Sequence, residues 1–292
     1  MRASSQVIRS SSAAKSSFDL TSGHAFTIGR GHSVCQDYAL SVAETRTHAV
    51  ILADGCSSSP DTDIGARFLA KAALSFLYQI DVDKDTRDSF EQYYRHTIQF
   101  AALSSRVLKL NPWCLDATLL TIKANSRGFV ASIYGDGVAV MMRRDGSLEI
   151  MSVEFAQGFP DYLNYQLDAV RRAALGDYVF NHKRVRRMFI SHRGNVSETI
   201  LDSDRSFELY RGNWSDYRWV GILSDGIHSV SGGLDPMDHI AIKLADVLPR
   251  LLDLKTLNGD FAQRALESFM TYLVANGWCI QDDLAIGFIA AE

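Results

Sequence analysis

Apolar residues fall in short unbroken runs along most of this chain, and several runs are bounded by a carboxylate. In "HAVILADG", Ala49 to Ala53 is wholly apolar and is followed at once by Asp54 and Gly55. Runs of this kind predict strands covered on both faces. "HAFTIG" (24–29), "DYALSVA" (37–43) and "HAVILA" (48–53) predict three successive strands. Strands are predicted again at "ATLLTIKA" (117–124), "GFVASIYG" (128–135), "VAVMMRR" (138–144) and "LEIMSV" (148–153), with Asp145-Gly146 as the hairpin turn between the last two. "RWVGILS" (218–224) and "LAIGFIA" (284–290) complete the set. Helical periodicity covers 62–80, with Ile64, Phe68, Leu69, Ala72, Phe76 and Ile80 on one face, and also 84–109 and 236–254. It returns over 260–275, where Phe261, Ala265, Phe269 and Leu273 share a face. Residues 154–217 hold strand-like pieces without a clean period. Hairpins outnumber βαβ crossovers, which predicts an α+β class: an antiparallel sheet or sandwich with helices outside.

The 292 residues suit one large domain or two small ones, with ample chain to bury a core. A net charge of -4 directs the chain to neither nucleic acid nor membrane, and no run approaches the ~20 apolar residues of a span. Residues 1–18, rich in serine and basic side chains, read as a flexible tail. The four cysteines, 35, 56, 114 and 279, form no CxxC pair, so free thiols in a reducing cytosol are expected.

The carboxylates carry the chemistry. Asp225 in "GILSDGI" follows a buried strand as Asp54 does, Asp282 and Asp37 each precede one, and Asp136 lies between two. A buried carboxylate is costly unless paired or bound to a cation. Several together repel one another unless a divalent ion supplies positive charge, and oxygen-rich sites suit Mg2+ or Mn2+. The glycines that follow, Gly55, Gly226 and Gly137, let the backbone turn sharply. Taken singly, each Asp-Gly is equally a turn, and spacing alone does not bring the five together.

These residues resemble the metal-dependent protein phosphatases of type 2C. The motifs are "CQDY" (35–38), "LADG" (52–55), "DATLL" (116–120), "YGDG" (134–137), "LSDGI" (223–227) and "DDLA" (282–285), in family order from about residue 24 to the C-terminus. The Cys-Gln-Asp motif is closest to a divergent bacterial branch. The resemblance implies one catalytic domain over 19–292, built as a sandwich of two antiparallel sheets flanked by helices. It implies two divalent ions, Mn2+ or Mg2+. Asp54 bridges both, the Gly55 carbonyl binds one, Asp225 and Asp282 hold the other, Asp37 supports the cluster, and Asp136 falls where some members add a third ion. A water bridging the ions then attacks phosphoserine or phosphothreonine. The implied partner is a phosphorylated protein, the target of a cognate kinase; the cysteines and net charge add a cytoplasmic protein that binds neither nucleic acid nor membrane, with a monomer favoured and the oligomeric state left open.

The chain departs from the pattern at several places. The family's phosphate-binding arginine stands where this chain has His32, with Arg30 as a rival anion binder two residues away. His32 is therefore a candidate phosphate ligand or proton donor, beside the alternative of a surface loop histidine. Gln36 replaces a carboxylate, Cys56 stands where eukaryotic members have a histidine proposed as general acid, Ala285 replaces a threonine or serine, and Asp283 replaces asparagine. Two readings stay open beside a protein phosphatase: a phosphatase of small phosphoesters, and a catalytically weak phosphoprotein-binding module. "NHKRVRRMFISHR" (181–193) reads as a solvated strand or loop face in preference to a receptor for acidic partners. Trp214, Tyr217 and Trp219 read as packing aromatics. Residues 154–180 occupy the place of a variable surface flap.

Overall fold

The computed structural model describes residues 18–44, 47–155, 160–180, 183–232 and 240–292; the expected tail therefore lies, but for Phe18, outside the described residues. The chain opens with strands β1 (Leu20–Thr27), β2 (Asp37–Glu44) and β3 (Thr47–Asp54), followed by helices α1 (Thr62–Leu77) and α2 (Arg87–Val107). Four strands follow, β4 (Leu119–Ala124), β5 (Gly128–Tyr134), β6 (Gly137–Arg143) and β7 (Leu148–Phe155), then helix α3 (Ala169–Phe180). Next come β8 (Lys183–Ile190), β9 (Val196–Asp202), β10 (Phe207–Asn213) and β11 (Tyr217–Leu223). The C-terminal part holds β12 (Val230–Gly232), β13 (Ile240–Ala241), α4 (Leu244–Leu251), α5 (Phe261–Ala275), β14 (Trp278–Ile280) and β15 (Leu284–Ala291).

A seven-stranded sheet, β1-β15-β11-β6-β7-β8-β9, faces a five-stranded sheet, β10-β5-β4-β3-β2, and a small sheet β13-β12-β14 stands apart. Adjacent strands are antiparallel. The unbroken apolar runs are explained by the layering. Val50 and Leu52 of β3 point between the sheets with Leu120, Ile122 and Ile289, while Ala49, Ile51 and Ala53 sit under α1 and α2. On the other sheet, Ile286 and Phe288 meet Leu248, Leu266 and Phe269 of α4 and α5. Every strand of the centre is covered twice, so alternation vanishes. The expected sandwich with flanking helices is the observed α+β fold.

Three expectations change. The buried stripe of α1 is Gly65, Ala66, Leu69, Ala70, Ala72, Ala73 and Leu77, so Leu69 and Ala72 of the expected face lie on it, while Ile64 is 37% exposed. Small residues face inward because the 3-10 turn at Pro112–Leu115 crosses so close that a Cβ on Gly65 would lie 1.7 Å from the Cys114 carbonyl oxygen. Gly65→Ala, despite its better helix propensity, is expected to cost about 2–3 kcal/mol by overpacking, read as a lowered thermal midpoint. The helix predicted at 236–254 begins only at Leu244; residues 236–239 lie outside the described set, and Ile240 and Ala241 are held as strand by pairing to β12. The unperiodic stretch 154–217 contains β8, β9, β10 and α3. All seven residues of β9 are exposed, so burial imposed no alternation on it.

The aromatic residues at and before the start of β11 do pack: Trp214 is fully buried and donates Nε1–H to the Asn125 carbonyl at 2.7 Å, and Trp219 is also buried. Residues 183–190 of the basic run form β8 and 191–193 lie in the turn after it; Asn181 and His182 lie outside the described residues. Lys183 pairs with Glu208 at 3.2 Å, and Arg186 with Glu154 and Glu198 at 3.1 and 2.5 Å, while Arg184 and Arg187 are exposed. That arrangement agrees with a solvated strand face. All four cysteines are free, and no described helix is long and apolar enough to cross a membrane.

Candidate active site

Strand ends bring the carboxylates together. Antiparallel pairing of β2 and β3 sets Asp37 opposite Asp54. Ser224, between β11 and Asp225, donates its backbone N–H to the Ala285 carbonyl at 3.0 Å, which fixes Asp225 beside the start of β15 and the preceding Asp282. Asp136 occupies the β5–β6 turn between Gly135 and Gly137, whose φ values of 88° and 129° favour glycine. The other two glycines act through close approach. A Cβ on Gly226 would lie 1.7 Å from the Asp283 carbonyl oxygen, so Gly226→Ala is expected to displace Asp225.

Asp54, Gly55, Asp136, Asp225 and Asp282 line one cavity of about 490 Å³. Asp37 stands behind them, 2% exposed, with Oδ2 accepting the Ser224 hydroxyl at 2.6 Å. Ser224 Oγ in turn accepts the Ala285 N–H at 2.9 Å. Burial pushes the carboxyls of Asp37, Asp54 and Asp136 well above the carboxylate range. Charge repulsion adds to this, from Asp37 and Asp225 on Asp54, and from Asp225 on both Asp37 and Asp136. Asp282 is raised by burial and then by Asp225. Among the described residues no lysine or arginine forms an ion pair with any of the five. Uncompensated hard oxygen donors around one cavity fit Mg2+ or Mn2+.

Asp282 and Asp283 divide their work. Asp282 lines the cavity. Asp283 is buried and accepts the backbone N–H groups of Gly29 at 2.8 Å and Gln36 at 2.6 Å, clamping the loop between β1 and β2. His32 belongs to that loop. Its Nε2 lies 3.4 Å from Asp282 and its Nδ1 3.0 Å from Asp283, the latter contact lacking hydrogen-bond alignment. Burial lowers the His32 pKa, but Asp283 and Asp282 outweigh it and hold it above the ordinary value. Arg30 is exposed in the same loop. Neither His32 nor Arg30 lines the cavity. The Gln36 amide donates to Thr62 Oγ1 at 2.8 Å, a bond the carboxylate it replaces could not make when ionised. Cys56 lines the cavity; burial pushes its thiol up, but the hydroxyls of Ser58 and Tyr162 outweigh this and hold it below its usual range.

The remaining wall comes from Trp113 and from the flap, through Tyr162, Tyr165 and Arg171. These residues were missed in the sequence. Arg171 reaches Asp116, which is fully buried. Asp116 was legible: it too borders an apolar run, in "DATLL". Arg171 stands in a segment without periodicity and had no such signal. Within the flap, Asp161 is 4% exposed and its Oδ2 has no hydrogen-bond partner. Burial raises its pKa to about 6, against the pull of Arg172 and Lys183. A folded pKa above the unfolded one gives stability that is full below about pH 4 and declines as pH rises through about 6. Asp161→Asn is therefore expected to raise stability by about 2 kcal/mol at pH 8 and hardly at pH 4, checked by thermal melts at both.

A family model described as Protein phosphatase 2C matches residues 28–270. Comparison with curated proteins returns no match. Among solved structures, the serine/threonine phosphatase Stp1 from Staphylococcus aureus is similar at 14% identity with a TM-score of 0.53, over 94% of this chain and 96% of that one. The S. agalactiae serine/threonine phosphatase gives 14% and 0.53, over 94% and 100%. Mycobacterium tuberculosis PstP/Ppp gives 14% and 0.50, over 94% and 99%. At such identity these structures speak for the fold alone. The family model spans most of the chain, including the strand-end carboxylates from Asp37 to Asp225. The chain belongs to the protein phosphatase 2C family.

Proposed function

We propose that this protein hydrolyses phosphoserine and phosphothreonine in proteins, in the cytoplasm, at the cavity between the strand ends. The observation that carries this reading is the meeting of Asp37, Asp54, Asp136, Asp225 and Asp282 with no lysine or arginine paired to them among the described residues. Asp54, the Gly55 carbonyl, Asp225 and Asp282 would hold two divalent ions, Mn2+ or Mg2+, with Asp136 available to a third. When bound, the ions supply an activated water and neutralise charge on the phosphoryl oxygens. The chain's own contribution is placement. Asp37, fixed by Ser224, holds the β2 side of the cluster against β3, and Asp283 ties the β1–β2 loop to β15. Flap residues Tyr162, Tyr165 and Arg171 form part of the cavity wall.

Release of phosphate from phosphoserine and phosphothreonine peptides, compared with small phosphoesters in Mn2+, Mg2+ or EDTA, tests the reading. Metal-dependent turnover is expected, with peptide kcat/KM at least tenfold above that of the small esters. Preference for the esters moves the assignment to a metabolite phosphatase. Absence of turnover from folded protein moves it to a binding module.

A further inference from the structure

Beside the ions, a phosphoester's charge calls for a side-chain cation, and among the described residues lining the cavity only one is a lysine, arginine or histidine: Arg171, from the first turn of α3. Its guanidinium is held from three sides. Nη1 and Nη2 donate to the two oxygens of Asp116 at 2.8 and 2.6 Å. The rings of Trp113 and Tyr165 lie 4.8 Å from its centre, each as a cation–π contact. Asp116 itself is fixed: Ser59 donates to it at 2.6 Å and the Asn164 amide at 2.9 Å. An arginine carries five N–H donors in a rigid fork. Two are spent on Asp116, and the rest find no acceptor among the described residues. The side chain keeps 21% of its surface open. A guanidinium held along one edge by a carboxylate is a preorganised anion receptor along the others.

We propose that Arg171 is the phosphate-binding cation of this site, oriented by Asp116, and so takes the role the sequence suggested for His32 or Arg30. This rests on the phosphoester reading of the cavity above. Asp116 is a positioning residue, because it also ties the loop after Gly55 to the flap through Ser59 and Asn164.

The test is calorimetric titration of inorganic phosphate into the full chain with Mn2+, alongside p-nitrophenyl phosphate turnover on the same samples. Arg171→Gln is expected to weaken phosphate binding at least tenfold, Arg171→Lys less, and His32→Gln less than either. Because Arg171→Gln leaves Asp116 buried and unpaired, the double variant Asp116→Asn/Arg171→Gln is measured as well and should show the same loss. Asp116→Asn alone, which keeps the guanidinium but frees it, should give an intermediate loss. Phosphate affinity equal to wild type in both Arg171→Gln variants overturns the proposal, as does absence of phosphate binding by the wild type. Binding that is lost with Arg171 in a protein without turnover upholds Arg171 and removes the phosphatase reading. Turnover with unaltered phosphate affinity in the variants does the reverse.

Discussion

Asp54→Asn and Asp225→Asn are each expected to lower metal-dependent phosphoester turnover by about three orders of magnitude, equivalent to ~4 kcal/mol of barrier. The two residues end different strands, β3 and β11, yet line the same cavity. Asp54 also feels the charges of Asp37 and Asp225 most strongly, so its loss removes the centre of the donor set. Asparagine keeps the shape and the acceptor oxygen but not the charge that holds a divalent ion. The loss should therefore fall on kcat and on the Mn2+ concentration needed for half activation. Full activity in either variant at saturating Mn2+ would show that the carboxylate cluster is not the reaction centre.

The second large effect concerns stability. Without metal, the carboxyls of Asp37, Asp54 and Asp136 are held above their ordinary values, chiefly by burial. Folded pKa values above the unfolded ones mean that this contribution is full in acid, below the unfolded values, and is lost as pH rises through the folded ones. Metal-free protein should accordingly be less stable at pH 7.5 than at mildly acid pH, as far as these groups decide. A ligand bound only by the folded state, at a thousandfold excess over its dissociation constant, adds about 4 kcal/mol, or roughly 8–16 °C for a chain of this size. Mn2+ is expected to raise the midpoint by that order at pH 7.5. Asp54→Asn should behave oppositely in the two conditions: higher than wild type in EDTA, where a repelling charge is gone, and nearly unmoved by Mn2+. A variant that melts lower than wild type in EDTA and still gains fully from Mn2+ contradicts this reasoning.

Much of this was legible in the sequence because strand ends are written in chemistry that burial makes expensive. Asp54, Asp225 and Asp282 stood out as carboxylates bordering apolar runs, and antiparallel register then placed Asp37 opposite Asp54. The motif register favoured Asp282 over Asp283 as the ligand, and in three dimensions Asp282 lines the cavity while Asp283 turns to the backbone of Gly29 and Gln36. The glycines were recognised but partly for the wrong cause: Gly137 has positive φ, whereas Gly226 is required by the approach of the Asp283 carbonyl. The inner face of α1 was read correctly at Leu69 and Ala72 but misjudged at Ile64, where hydrophobic size misled, while the crossing at Cys114 selects Gly65 and its small neighbours. The flap was unreadable because its partners are remote. Arg171 is defined by Asp116, a residue 55 positions earlier, and no local period records such a contact.

The most direct measurement is an anomalous difference map from a crystal of the protein grown with Mn2+. The account predicts two peaks in the cavity within coordination distance of Asp54, with Asp225 and Asp282 beside one of them. A map with no peak there, or with its only peak between His32 and Asp283, would contradict it.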